Sequence, residues 1–444
     1  MSGMGNRFVQ AGYKEPKFLI EVDGIPVIEH IIGLFPKDAE FIFICNEKHA
    51  EETPVLNILD KLASKKQIIV IPCHKKGPVY AVSEVYDFID DEEEVIVNYC
   101  DFSMDWEYLD FHNFVQKSNC DGSIVCYKGF HPHMLGGDNY AFVKCEPNSN
   151  KFLEIKEKES YTDDKMSEFA STGTYYFKKG KYVKKYFSKM MEKNIHLNNE
   201  YYVSLIYNLM HEDGLSTHVY EVPHMLQWGT PLDLKIYNKW SDYFRRALEG
   251  QEKIKIPNAI TILPMAGKGS RFLDNGYAKP KPLINVNGRS MALQAAKCLP
   301  DTEKIIFSCL LKHLDDFTLK DQLTDTYPDS EIVPVDKVLP GQACTCEFSI
   351  RQTKIENDTP ILISACDNGV MWNKEGFSNL VEDPEVDVIV WSCRNNSANY
   401  YNPNMYSWLD VDKNDNIKKV YVKEFFGLNP LKSFAIVGTM FFRK

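Results

Sequence analysis

No run of roughly 18 apolar residues occurs anywhere in the 444-residue chain, which leaves no candidate for a membrane-crossing helix. A block of clustered Lys and Arg is missing too, and the formal charge is −11, so a nucleic-acid backbone finds no matching surface. Small anionic ligands stay open, because a local loop can bind them whatever the overall charge. There is no C-x-x-C pair. Most of the twelve cysteines, among them Cys45, Cys73, Cys100, Cys126, Cys309, Cys366 and Cys393, fall in apolar strand-like runs, which reads as buried reduced thiols. The chain opens on a polar glycine loop without a secretory pattern, so a cytoplasmic protein is expected, with neither membrane nor nucleic acid as partner. Homo-oligomerisation is left open.

What is present is repetition. The stretch from Ile260 to Gly288, ITILPMAGKGSRFLDNGYAKPKPLINVNG, runs from a short apolar strand (Thr261 to Leu263) into a glycine loop, an arginine and a Lys-Pro-Lys-Pro segment. The first residues of the chain match it without a gap: Gly3 with Gly267, Gly5 with Gly269, Arg7 with Arg271, Phe8 with Phe272, Gly12 with Gly276, Tyr13 with Tyr277, Pro16 with Pro280, Lys17 with Lys281 and Gly24 with Gly288. Each pair lies 264 positions apart, as 3 and 267 do, which marks a tandem duplication. Two domains are expected, 1–248 and 259–444, joined by a polar linker at 249–258 that contains Pro257.

Both copies alternate strand-like and helix-like stretches. In the first, apolar runs at Glu40 to Cys45, Gln67 to Pro72, Glu94 to Tyr99, Ser123 to Tyr127, Tyr140 to Lys144, Gly173 to Phe177 and Thr217 to Val222 are separated by amphipathic segments such as Tyr182 to Glu192. In the second, runs at Lys304 to Leu310, Glu331 to Val335, Pro360 to Ala365, Val386 to Cys393, Met405 to Val411 and Ala435 to Phe442 follow the same order. This alternation predicts an α/β fold in two tandem copies, each a mixed, mainly parallel sheet with helices on both faces. Neither copy reads as complete. The first lacks the strand supplied by Thr261 to Leu263, and the second has no counterpart of the stretch beyond Lys178, so a shortened chain or a misplaced start is expected.

A lone Gly-x-Gly-x-Arg is no more than a tight turn. Here the context adds to it. Glycines let backbone N–H groups approach an anion, the following helix start adds positive partial charge, and Arg7 or Arg271 offers a fork of donors for phosphate oxygens. Ten residues on, Lys17 and Lys281 each follow a proline that fixes the local backbone, so a point charge projects into the same site. Gly77 corresponds to Gly341, which Gln342 follows; each glycine opens a helix after a strand. VIVNYCD ends at Asp101 and ILISACD at Asp367, where an apolar strand leaves the core and a carboxylate can hold Mg²⁺ near water. Lys158 precedes Gly173, and Lys423 precedes Gly438, by 15 residues in each case.

With these residues in view, the chain resembles the nucleotidyltransferases that activate phosphorylated sugars and alcohols, and the likeness covers nearly the whole chain twice. Gly129-Phe130-His131-Pro132-His133, Cys100-Asp101-Phe102 and Gln227-Trp228-Gly229-Thr230-Pro231 look like members associated with capsule synthesis, including the CTP-dependent phosphoglutamine enzyme. The resemblance implies a Rossmann-like nucleotidyltransferase fold and an NTP with a small phosphorylated acceptor as partners, CTP being favoured. It implies nucleotide binding by Gly3, Met4, Gly5, Gly77, Gly267, Lys268, Gly269, Gly341 and Gln342, with Arg7, Lys17, Arg271 and Lys281 as catalytic residues. Mg²⁺ on Asp101 and Asp367 would bridge the phosphates, and Lys158, Gly173, Glu200, Gln227, Lys423 and Gly438 would face the acceptor. Two departures stand out. Gln227 occupies the position of a second metal-binding aspartate in many relatives, which makes Asp105 and Glu200 candidate helpers, and Met4 replaces the common Lys or Leu.

His131 and His133 form an H-x-H pair which, on a strand, puts both rings on one face. No third nitrogen or sulfur ligand stands at a recognisable spacing, so a structural or substrate-loop role is expected rather than zinc. Two rival readings remain: one copy is a non-catalytic nucleotide-binding domain, or the chain is a nucleotide-sugar glycosyltransferase, which would release no pyrophosphate.

Overall fold

A computed structural model describes residues 1–249 and 253–443. The chain divides into two compact units, Met1–Asp242 and Tyr243–Lys444. The division falls inside the helix Pro231–Glu249. Of the expected linker, residues 250–252 lie outside the described residues. The part beyond them is structured: Ile256 donates its N–H to the Asp301 carbonyl at 2.8 Å, accepts no solvent, and packs in the core of the second unit.

In the first unit, β1 (Glu40–Asn46) pairs in parallel with β2 (Lys65–Ile71), and this pair forms a sheet of its own. The main sheet contains β3 (Val95–Asn98), β4 (Gly122–Tyr127), β5 (Ala141–Cys145), β6 (Phe152–Glu157), β7 (Phe169–Phe177) and β8 (Thr217–Glu221). Its order is β8-β4-β7-β5-β6, with β3 also paired to β7. Every residue of β4 and β7 is buried, as central strands covered on both faces require. The helix Gly180–Glu192 buries Val183, Tyr186, Phe187 and Met190, an i, i+3, i+4, i+7 stripe. Each such side chain contributes about 1.5–3 kcal/mol through burial.

The second unit has β9 (Ile260–Met265), β10 (Lys304–Leu310), β11 (Glu331–Val335), β12 (Ile361–Ser364), β13 (Val388–Cys393), β14 (Trp408–Val411), β15 (Ile417–Tyr421) and β16 (Phe434–Phe442). They form one sheet in the order β11-β10-β9-β12-β16-β14-β15, with β13 also paired to β16. Strands β9 to β12 are parallel, and every pair that involves β13 to β16 is antiparallel. The sheet is therefore mixed, with parallel pairing confined to its first half. Direction is set by the connections, and the short turn between β14 and β15 can only reverse the chain. Strands β6 and β15 fall outside the runs read from sequence; β15 is largely exposed, and β6 buries only Phe152 and Ile155 among charged residues.

None of the twelve cysteines is in a disulfide. Three of the seven named above depart from the expected burial: β2 ends at Ile71 and Cys73 is exposed in the loop beyond it, while Cys100 and Cys393 are only half-buried.

Candidate active site

The two copies of the glycine loop adopt the same backbone. Gly5 (φ 61°, ψ 29°) precedes the helix Asn6–Gln10, and Gly269 (φ 64°, ψ 33°) precedes Ser270–Asp274. Positive φ at this point is the conformational reason for glycine. Each helix is five residues long, so its dipole is smaller than the sequence suggested, and anion binding falls to the backbone N–H groups and nearby side chains. Pro16 (φ −57°, ψ 145°) and Pro280 (φ −61°, ψ 148°) then set equal entries into the 3-10 turns Lys17–Leu19 and Lys281–Leu283.

That geometry delivers the lysines onto the aspartates. Lys17 Nζ donates to Asp101 Oδ2 at 2.6 Å, and Lys281 Nζ forms the same bond with Asp367 Oδ2. The side chains of Lys17 and Asp101 are 25% and 22% exposed, so the pair is shielded yet reachable. Burial alone pushes the Lys17 ammonium down, but the Asp101 charge, with Cys100 and the hydrogen bond to Asp101, outweighs it and holds the lysine above its usual value against a smaller push from Arg7. The aspartates are placed alike as well. Tyr99 N–H donates to the Gly173 carbonyl and Ala365 N–H to the Gly438 carbonyl, both at 3.0 Å, which pins each strand end just before its Cys-Asp.

Around Asp101 the chain closes tightly. Its carbonyl accepts from Trp228 N–H at 3.0 Å, while Gln227 Oε1 accepts from the N–H groups of Trp228 and Gly229, both at 3.1 Å. The next turn contains a residue that the sequence reading passed over. Asp233 accepts from the Thr230 hydroxyl at 2.6 Å at the start of the helix Pro231–Glu249, a Thr-x-x-Asp cap legible from spacing alone. Burial first, and then the Asp101 charge, raise its carboxyl to about 6, against the Thr230 hydrogen bond and Arg7.

The second glycine turn brings in the acceptor-side candidates. A Cβ on Gly77 would lie 2.7 Å from Tyr201 N and 2.8 Å from Tyr201 O, so only glycine lets the loop pack against residues 200–202. Lys158 Nζ donates to Tyr202 OH at 2.6 Å, and Tyr202 OH donates to Glu200. Lys158 (φ 57°) and Lys423 (φ 54°) both take the left-handed conformation, a cost of about 1–2 kcal/mol for a residue with a side chain. Lys423 is exposed, Gly341 has open space where a Cβ would sit, and Gln342 is exposed as the first residue of its helix.

A cavity of about 1470 Å³ joins Gly3, Met4, Gly5, Arg7, Lys17, Gly77, Asp101, Lys158 and Glu200 in the first unit. Gly173 and Gln227 do not line it, and neither does Asp105, which is exposed opposite His224. His74 does line it, and no residue pattern singled it out as a ligand. Its Nδ1 accepts from Lys76 N–H at 3.2 Å, which leaves Nε2 as a buried donor with no partner. In the second unit, Gly267, Lys268 and Arg271 are exposed on the loop, and a Cβ on Gly269 would meet Lys281 Cβ at 3.0 Å.

The H-x-H pair lies at a 3-10 turn, Pro132–Leu135, which contains His133 and which His131 precedes, rather than on a strand, because Pro132 cannot donate to a ladder. His131 Nε2 accepts from Met225 N–H, His131 Nδ1 faces the Gly129 carbonyl, and His133 Nε2 pairs with Tyr127 OH at 2.9 Å. These are structural histidines. Burial, aided by His131, drives His133 down to about 3, so the unfolded chain binds a proton below pH 6.5 that the folded chain refuses. Stability is therefore full above pH 6.5 and falls with acidification by about 1.4 kcal/mol per pH unit from this group. Urea titrations from about pH 6 to pH 4 will show that His133→Gln has the shallower decline; parallel declines would refute the assignment.

Among the described residues no group of three or more His, Cys, Asp or Glu could hold a metal, so a preformed cage is absent. No protein-family model and no curated protein sequence matches the chain. Solved structures do. A nucleoside-diphosphate-sugar pyrophosphorylase from Vibrio cholerae RC9 is 21% identical, with a TM-score of 0.44 over 53% of this chain and 97% of that one. An inositol-1-phosphate CTP transferase from T. maritima is 14% identical, with 0.41 over 56% and 94%. A UDP-glucose pyrophosphorylase from Acinetobacter baumanii is 15% identical, with 0.42 over 56% and 96%. At these identities and scores the likenesses carry no argument about what this chain does.

Proposed function

We propose that the chain is a tandem nucleotidyltransferase, with domains at 1–248 and 259–444. It transfers a nucleotidyl group from an NTP, CTP favoured, to a small phosphorylated sugar, alcohol or amino-acid-derived acceptor for capsule or surface polysaccharide synthesis in the cytoplasm. The observation that carries this reading is the pair of bonds Lys17–Asp101 and Lys281–Asp367, made twice beside glycine loops of equal conformation. The preference for CTP and the link to capsule rest on the resemblance in sequence.

Mg²⁺ normally takes one or two carboxylates and completes its shell with phosphate oxygens and water. A Cβ on Gly229 would lie 2.9 Å from Asp101 Oδ2 and 3.1 Å from Gln227 Oε1, so a small oxygen-lined space is kept open there. Gln227 Oε1 is already used by two N–H groups, which leaves Asp101 as the donor. This set fits a Mg²⁺ that arrives with the nucleotide; bound, it would neutralise charge on the phosphates. Lys17 then serves the reacting phosphate, Arg7 and the backbone N–H groups of residues 3–5 hold the triphosphate, and Lys158, fixed by Tyr202, faces the acceptor. An acceptor phosphate oxygen bonds to the α-phosphorus as the α–β bridging bond breaks, and pyrophosphate leaves with the electron pair. Positioning and charge neutralisation suffice; no protein nucleophile is needed.

One observation favours the first unit for the transfer step in this proposal. The Lys158–Tyr202–Glu200 network is fixed there, whereas Lys423 makes no hydrogen bond or ion pair among the described residues. The second unit then binds nucleotide without turnover. With Mg²⁺, purified protein will release pyrophosphate only when both an NTP and a phosphorylated acceptor are present. Silence across a broad panel of both would sink the proposal, and consumption of a nucleotide sugar without pyrophosphate would favour a glycosyltransferase.

A further inference from the structure

The second unit has a cavity of its own, about 490 Å³ in volume, at the hairpin that joins Asn285–Val286 to Arg289–Ser290. That volume lies in the range of small-molecule sites. Buried Leu283 and Leu293 supply its apolar part. Lys279 and Arg289 line it too, and among the described residues neither makes an ion pair or a side-chain hydrogen bond. Ser290, also a lining residue, is 7% exposed, and its hydroxyl has no hydrogen-bond partner. A buried hydroxyl left unpaired costs free energy, so a ligand oxygen that accepts from it is favoured. The helix Leu319–Thr326 contributes Gln322 and Thr326. Gln322 Nε2 donates to Thr318 Oγ1 at 3.3 Å and the Thr326 hydroxyl to the Gln322 carbonyl at 3.0 Å, so Gln322 Oε1 and Thr326 Oγ1 are left to accept. At Asn285 the roles are reversed: Oδ1 accepts from Gly288 N–H at 2.9 Å, and Nδ2 is left to donate.

The first copy lacks this polarity. At the same spacing of 264 residues, Lys279 stands for Glu15, Asn285 for Glu21, Arg289 for Ile25, Ser290 for Pro26, Gln322 for Ile58 and Thr326 for Leu62. Carboxylates and apolar side chains have thus given way to cations and neutral polar groups. The hairpin does not require the change, because its register is the same in both copies: Glu21 pairs with Pro26, and Asn285 with Ser290. The face is open in both units as well. Glu15, Glu21 and Ile25 are exposed beside the helix Pro231–Glu249, which reaches Asp23 instead, where Tyr237 OH donates at 2.7 Å. Cations without partners hold an anion by charge-assisted hydrogen bonds, and a guanidinium offers phosphate a fork of donors. Acceptor oxygens beside them suit ligand hydroxyls. We infer that this cavity binds a small hydroxylated phosphate monoester, its phosphate held by Arg289, Lys279 and the Ser290 hydroxyl, and its own hydroxyls donating to Gln322 and Thr326. The inference stands whether or not the chain transfers nucleotides.

The test is amide exchange of the full chain titrated with glucose 6-phosphate, without Mg²⁺ or NTP. Exchange will slow saturably, by about tenfold or more, at residues 285–290 and at Leu319–Thr326. Glucose will protect neither segment, and inorganic phosphate will compete while protecting residues 285–290 alone. Lys279→Glu combined with Arg289→Ile, which installs the residues of the first copy, will weaken binding about tenfold or more. Ser290→Ala will weaken it about threefold or more, while the melting temperature of the free chain stays level or rises, because the hydroxyl supports nothing in the fold. Absence of saturable protection at the two segments overturns the inference, as do equal protection by glucose and an affinity unchanged in the double variant. Protection confined to the neighbourhood of Lys17 and Lys158 overturns it too, since the ligand would then sit in the first unit. If the double variant fails to fold, Ser290→Ala and the unaltered chain decide. Pyrophosphate release is not the readout, so this inference and the proposed function fail separately.

Discussion

Asp101→Asn will lower pyrophosphate release about 10³-fold, a loss of about 4 kcal/mol of transition-state stabilisation, while Asp367→Asn will change it by no more than about threefold. The first figure follows from chemistry. Asp101 supplies the carboxylate at the strand end, its Oδ2 holds Lys17 Nζ, and neighbouring Gln227 has spent its oxygen on two backbone N–H groups. Asparagine keeps the shape and removes the charge, so neither a cation nor the lysine is held as before. The second figure follows from the assignment of transfer to the first unit. NTP-dependent thermal stabilisation should still respond to Asp367→Asn, because that unit is proposed to bind nucleotide. Equal losses from the two substitutions would refute the division of labour, and no loss from either would refute the proposed function. Unfolding midpoints of both variants guard against a trivial loss of fold.

Lys17→Met will lower kcat about 10²- to 10³-fold with a smaller change in KM, as expected for a charge that acts mainly on the reacting phosphate. The substitution keeps the aliphatic stem and removes the ammonium. It also leaves the Asp101 carboxylate without its cation, in a place where the Asp101 charge already helps to raise the Asp233 carboxyl. The variant should therefore show a gain in divalent-cation affinity along with its loss of rate, since Lys17 no longer competes for Asp101. A merely structural lysine would move neither the split between kcat and KM nor the cation titration. Steady-state kinetics and a Mg²⁺ titration followed by melting temperature read both. A KM rise with kcat intact would place Lys17 in ground-state binding instead.

Sequence by itself determined the repeated glycine-loop and Pro-Lys segments and the sites of most strands. These signals are local: an apolar run of strand length, a glycine where φ is positive, a proline that fixes its neighbour. Lys304–Leu310 and Glu331–Val335 coincide with strands for that reason. Tertiary structure alone decided which charges meet. Lys17 and Asp101 are 84 positions apart and Lys281 and Asp367 are 86 apart, and only the pinned strand ends bring them together. It also decided that Asp105 stands away from the site and that His131 and His133 make hydrogen bonds within the packing. Spacing along a chain fixes local conformation, but contacts between distant residues depend on strand order and direction, which connections and packing choose together.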